Sequence, residues 1–161
     1  MTTARLKTAI RQLVIAAAMA ATATPIAAFS AGAIEVLQPW SRPAVAGTNG
    51  IGYMVLVNKG ATADVLEKVE SPIAGRVEMH SSSMAGGVMS MKKEDRVPVP
   101  AGGQTTFGPG AYHLMLIGLT KTLRAGDQVP ATLSFSGGAR IKVAFTVSAG
   151  MGPSAMAGMA H

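Results

Sequence analysis

Residues 129–147 read VPATLSFSGGARIKVAFTV, and this stretch decides the fold class. Val129, Ala131, Leu133 and Phe135 alternate with polar partners; after Gly137-Gly138, Ile141, Val143, Phe145 and Val147 do the same. Successive side chains of a strand point to opposite faces, so each arm buries one face. A Gly-Gly pair between two such arms marks a tight hairpin.

Working outward, the same texture covers most of the chain. Ile34 to Gln38 reads as a first strand ending at Pro39-Trp40, and Ala44 to Asn49 as a loop. Gly50 to Val57 is a strongly apolar run with Tyr53, Val55 and Val57 on one face, closed by the turn residues Asn58-Lys59-Gly60. Val65–Val69 and Arg76–His80 are further candidate strands. A polar hairpin loop is expected over Ser81–Gly87, then a strand over Val88–Met91. Val97-Pro98-Val99-Pro100 can only be an edge strand or a loop, because proline gives the ladder no donor. Gln104–Phe107 can pair briefly, and Tyr112–Ile117 is a strand. No amphipathic helix longer than about two turns fits the 3.6-residue template. Short alternating strands at regular spacing predict an all-β, antiparallel Greek-key sandwich or small barrel.

The amino terminus reads differently. Arg5, Lys7 and Arg11 precede an apolar run from Leu13 to Ala21, and Ala31-Gly32-Ala33 has the small-x-small form of a signal-peptidase site. The run is shorter than the roughly 20 residues of a membrane-spanning helix, which favours a cleaved leader over an uncleaved anchor. The expected organisation is a signal peptide over 1–33, a β-sandwich domain over 34–148 and a Met/His-containing tail over 149–161. Such a protein is expected to be exported from the cytoplasm and not to stay inserted in the membrane after cleavage. Without the leader, eleven basic residues face eight acidic ones, a net charge of +3. Lys and Arg are scattered and aromatics are few, so nucleic acid is not an expected partner. With no cysteine, no disulfide framework holds the fold.

The chemistry concentrates between Glu78 and Met115. Of three histidines, His80 and His113 lie here, each near methionines: Met79, Met89, Met91 and Met115. His113 and Met115 are two apart on a strand and share a face, as do Met89 and Met91, while Met79 faces away from His80. A set of imidazoles and thioethers without carboxylates suits Cu(I), whereas zinc would recruit cysteine or carboxylate. A thioether needs no deprotonation and cannot be captured as a disulfide in an oxidising compartment. The competing reading is packing: methionine fills gaps in cores, and Met54 and Met79 read that way. From the residues alone, metal binding and packing stand level for His80, Met91, His113 and Met115.

The spacing of those four is specific. His80, Met91, His113 and Met115 follow the pattern H-x10-M-x21-H-x-M, which resembles the signature of the periplasmic copper chaperone family PCu(A)C, or PCuAC. Pro39-Trp40-Ser41-Arg42-Pro43, Gly52-Tyr53-Met54, Val77-Glu78-Met79-His80, Gly87-Val88-Met89-Ser90-Met91 and Gly110-Ala111-Tyr112-His113-Leu114-Met115-Leu116 are similar to further blocks of that family. The resemblance spans about Ile34 to Val147. It implies a cupredoxin-like sandwich holding one Cu(I) through His80, Met91, His113 and Met115, with Met89 as an auxiliary. It also implies delivery to the copper site of cytochrome c oxidase subunit II, often beside Sco-type proteins, with copper storage or tolerance as the alternative. Met151, Met156, Met159 and His161 resemble the tails of some members. They can form a second site, with Cu(II) at His161, or be a low-complexity tail.

Three other classes compete. A blue-copper electron carrier needs a cysteine thiolate, and the chain has none. No Ser–His–Asp, Cys–His or paired-carboxylate arrangement suggests an enzyme. A purely structural sandwich is the reading that fold alone leaves open.

Overall fold

A computed structural model describes residues 28–150 and Gly152. The basic and apolar parts of the expected leader, and Met151, Met156, Met159 and His161 of the tail, lie outside the described residues. The described residues form eleven strands and no helix: β1 Ala28–Ala31, β2 Ile34–Ser41, β3 Gly50–Asn58, β4 Asp64–Glu70, β5 Ala74–Ala85, β6 Val88–Glu94, β7 Val97–Val99, β8 Gln104–Phe107, β9 Tyr112–Leu119, β10 Gln128–Phe135 and β11 Arg140–Val147. Hydrogen bonding links them in the order β6-β5-β9-β8-β3-β2-β11-β10-β4-β7, with β1 on β2 and a further β3–β9 pairing. The all-β, cupredoxin-like architecture expected from the sequence is what the chain adopts.

The sheet folds into two layers. The inner faces of β3, β5 and β9 present Gly52, Val77, Leu114 and Leu116, and these enclose a narrow void with Val69, Val129, Ala131 and Phe145 from β4, β10 and β11. The last hairpin is as the alternation dictates. Val129, Ala131, Leu133, Phe135, Ile141, Val143, Phe145 and Val147 are all buried, and Gly138, at φ 91°, makes the turn. Met54 and Met79 are core residues, as expected. β7 is an edge strand paired to β4, consistent with its prolines.

Asp64 pins the tip of the last hairpin. Its Oδ1 accepts hydrogen bonds from Ser136 Oγ and the Gly137 amide at 2.9 Å and from the Val65 amide at 2.8 Å. Partial burial pushes its carboxyl up, but those bonds outweigh that and hold it below the ordinary aspartate value. Asp64→Ala leaves two amides without this acceptor, so an equilibrium urea titration is expected to show about 1–2 kcal/mol less stability.

Three features depart from the local pattern. First, two pairings are parallel, β11 with β2 and β8 with β9, so the sheet is mixed. The first joins strands more than a hundred residues apart, whereas the second is a single pair, Phe107 with Tyr112, between consecutive strands. Second, β2 runs through Pro39-Trp40 to Ser41 instead of ending there, because a register shift with Gln38 at φ 49° absorbs the irregularity. Third, Ser81–Ala85 are strand rather than loop, and the turn shrinks to Gly86-Gly87, both at positive φ. The serines pair across the hairpin: Ser83 and Ser90 hydroxyls meet at 2.9 Å, and Ser81 Oγ donates to Glu94 at 2.7 Å. Such cross-strand hydroxyl pairs stabilise a ladder that composition alone makes look like a loop.

Candidate metal centre

β5 lies between β9 and β6, and the registers place the candidate residues on one outer face. His80 is directly opposite His113, and Glu78 is opposite Met115. On the other flank His80 is opposite Lys93, and Ser82 is opposite Met91. Partners across a ladder share a face, so Glu78, His80, Met91, His113 and Met115 all project the same way. Met79, Leu114 and Leu116 alternate to the core. The two imidazoles sit with ring centroids 5.6 Å apart.

The same face continues sideways. Ile51 of β3 is opposite Met115, so Tyr53 falls on the same side, and Trp40 of β2 is its partner. Their rings are 4.7 Å apart, with the Arg42 guanidinium over both at 5.9 and 5.8 Å from the centroids. Gly152 is packed so tightly on the Trp40 indole that a Cβ would overlap the ring.

The donor atoms are set up unequally. His113 is only 3% exposed, and its Nε2 is buried without a hydrogen-bond partner. Its Nδ1 faces the Ala111 carbonyl at 3.5 Å, an acceptor only, so the proton belongs on Nδ1 and the lone pair on Nε2. A buried, unpaired lone pair of this kind costs stability unless something occupies it. His80 uses its Nε2 on Glu78 at 3.0 Å, which leaves Nδ1 as its donor. Glu78 is pulled down to about 2 by hydrogen bonds from His80 and Arg76, with Lys93 adding attraction at 3.8 Å. It stays ionised and orients the imidazole, as outer carboxylates do for metal-binding histidines.

Burial holds the His113 imidazole below the ordinary histidine value; the Ala111 carbonyl opposes this and the neighbouring His80 adds to it. As pH falls through about 6.5 the unfolded chain takes up its proton before the folded one, so the unfolded state gains. The metal-free protein is therefore expected to lose stability as pH falls below about 6.5, down to the folded value, and to hold that contribution in full at higher pH. Urea midpoints measured across that range check this, and His113→Leu should flatten the dependence.

The expected ligands are not all equally close. His80, His113 and Met115 occupy adjacent strands within one residue pair of each other. Met91 stands one strand further out, opposite Ser82 and 58% exposed. In a flat sheet it would lie roughly 10 Å sideways and about 7 Å along from His113. Among the described residues no group of three His, Asp or Glu is placed to hold a metal. Glu78 and the Trp40–Tyr53 pair were missed as site neighbours by sequence reasoning. Glu78 could have been found, since it is two residues before His80 and so on its face.

The fold is that of a PCuAC-type domain. The family model described as "Putative lipoprotein LpqE-like" matches residues 34–147, and the chain belongs to that family. It is 28% identical over 118 residues to "Putative lipoprotein Lxx21020" of Leifsonia xyli subsp. xyli, an alignment that covers 73% of this chain and 70% of the relative. Among solved structures, the copper-bound PCuAC domain from PmoF2 superposes with a TM-score of 0.66 at 26% identity, covering 77% of this chain and 99% of that one. The Cu(I) form of DR1885 from Deinococcus radiodurans does so with 0.56 at 27% identity, covering 71% and 78%. The 161 residues hold no cysteine, so a thiol-linked lipid has no attachment point among them.

Proposed function

We propose that this chain is a periplasmic Cu(I) chaperone, not an enzyme, with His80, His113 and Met115 as the inner ligands and Met91 as the outer one. The observation that carries the reading is the buried, unpartnered Nε2 of His113, directly across the ladder from His80 and two residues from Met115. The copper-bound PCuAC domains among the structural relatives support it. Neutral imidazole and thioether donors suit a soft monovalent ion. The ion is cargo. It leaves when an incoming thiolate or imidazole displaces the ligands stepwise, the exposed Met91 first.

The acceptor in this proposal is the copper site of cytochrome c oxidase subunit II, directly or beside a Sco-type protein. Residues 1–33 act as leader, 34–148 as carrier domain and 149–161 as tail, where Met151, Met156, Met159 and His161 can take a second copper, Cu(II) at His161. Cleavage after Ala33 would remove β1, which covers Ile34–Leu37 of β2; the amino-terminal mass of the exported protein tests the division. No helix among the described residues is long and apolar enough to cross a membrane. The function is tested by anaerobic Cu(I) titration of residues 34–161 against a chromogenic chelator. One tight equivalent is the expected result, and no competition with the chelator would refute the reading.

A further inference from the structure

The β5–β6 hairpin carries a thioether cluster that shares only Met91 with the ligands assigned above. Met84 and Met89 are direct partners across its ladder, and Met91 is two residues along from Met89 on the same face. All three are largely exposed, at 70%, 57% and 58%. None belongs to the core, and β6 is the outermost strand of the sheet. Directly paired residues have Cβ atoms about 4.5–5.5 Å apart and diagonal ones roughly 7–8 Å, within reach of side chains as long and flexible as methionine. Three sulfurs can therefore meet over one point.

We infer that Met84, Met89 and Met91 form a second, weaker Cu(I) site, through which the ion enters the inner site. This rests on the copper reading above. Three neutral thioethers select a soft monovalent ion, because harder divalent ions require the carboxylates, imidazoles or thiolates that the trio lacks. Met91 links the two positions. Its partner Ser82 lies midway between His80 and Met84 on β5, so Met91 is a diagonal neighbour of both. It can hold an ion with Met84 and Met89, or with the two histidines and Met115. In the transfer, bonds from Met84 and Met89 sulfur to copper break as bonds to His80 Nδ1 and His113 Nε2 form. The ion remains Cu(I), Met91 need not let go, and no electron or proton is exchanged.

The test is an anaerobic Cu(I) titration followed through the methionine ε-methyl resonances in 13C-labelled protein. In wild type, the Met115 methyl is expected to shift with the first equivalent and those of Met84 and Met89 with the second. In His113→Ala/Met115→Ala, the Met84, Met89 and Met91 methyls should shift with the first equivalent. Met84→Leu/Met89→Leu should keep the tight equivalent, lose the second, and load several-fold more slowly from a Cu(I)–chelator complex. Static Met84 and Met89 methyls in both wild type and the inner-site variant, with the tight equivalent intact, would overturn the second site and leave the carrier reading standing. So would methyls that move only on adding a protein partner, since the trio would then be a docking patch. Loss of all tight binding in wild type would instead overturn the carrier reading itself.

Discussion

His113→Ala/Met115→Ala is expected to abolish the tight Cu(I) equivalent, with apparent affinity falling by at least a hundredfold in chelator competition. Among the described residues, His113 supplies the imidazole lone pair that is already desolvated and unpaired. Binding there costs little reorganisation, and an ion repays a penalty the folded chain already carries. Met115 sits two residues along and opposite Glu78, so removing both strips one whole strand from the site. What remains is His80, tied to Glu78 through Nε2, and the exposed Met91. Those two lie on different strands at a diagonal, too few donors for tight binding. Met89→Ala should cost far less, because Met89 lies still further from His113. Equal losses in the two variants would show that the hairpin, not the β5–β9 pair, is the centre of the site.

Circular dichroism should show that this double variant folds. Its metal-free form is expected to be no less stable than wild type at neutral pH by more than about 1–2 kcal/mol, since removing a buried unpaired nitrogen offsets part of the lost packing. Loss of binding with loss of fold would make the substitution uninformative about ligation, so His113→Gln/Met115→Leu, which keeps volume, provides the second arm. It too should lose the tight equivalent.

Much of this site was legible because strand alternation is a local rule. His113 and Met115 share a face by their spacing alone, and Leu114 must then point to the core. The packing roles of Met54 and Met79 follow the same rule. The last hairpin was legible because its apolar alternation and Gly-Gly turn agree. Registers between distant strands are another matter. Nothing near His80 says that it faces His113 rather than Met91 across a ladder. The expected loop at Ser81–Gly87 leaves that register open; five more strand residues carry the turn outward and set Met91 opposite Ser82, one diagonal step from His80. The parallel pairing of β11 with β2, and the placing of Trp40 and Tyr53 beside the histidines, come from the tertiary fold, which joins segments more than a hundred residues apart in the first case.

Leu114→Ala is expected to destabilise the protein by about 3 kcal/mol, lowering its midpoint by roughly 10 °C in a thermal melt. Leu114 lies between two proposed ligands in sequence yet points into the core, 1% exposed. It lines the void between layers with Val69, Val129 and Phe145, and its side chain touches the space beside Gly52. A leucine removed from such a place loses its transfer energy and leaves a cavity that the packed layers cannot readily close. The consequence for copper is the sharper part. Because β9 is held on both sides, by β5 and by β3 and β8, its backbone should keep His113 and Met115 in place below the new melting point. At low temperature the variant should therefore bind its tight equivalent within a few-fold of wild type, and Cu(I) should raise its melting midpoint by as much as it raises that of wild type. Stability and ligation then separate on adjacent residues of one strand. If Leu114→Ala instead weakened copper binding as severely as His113→Ala/Met115→Ala, the inner site would depend on the exact packing beneath it and would not be set by the ladder alone.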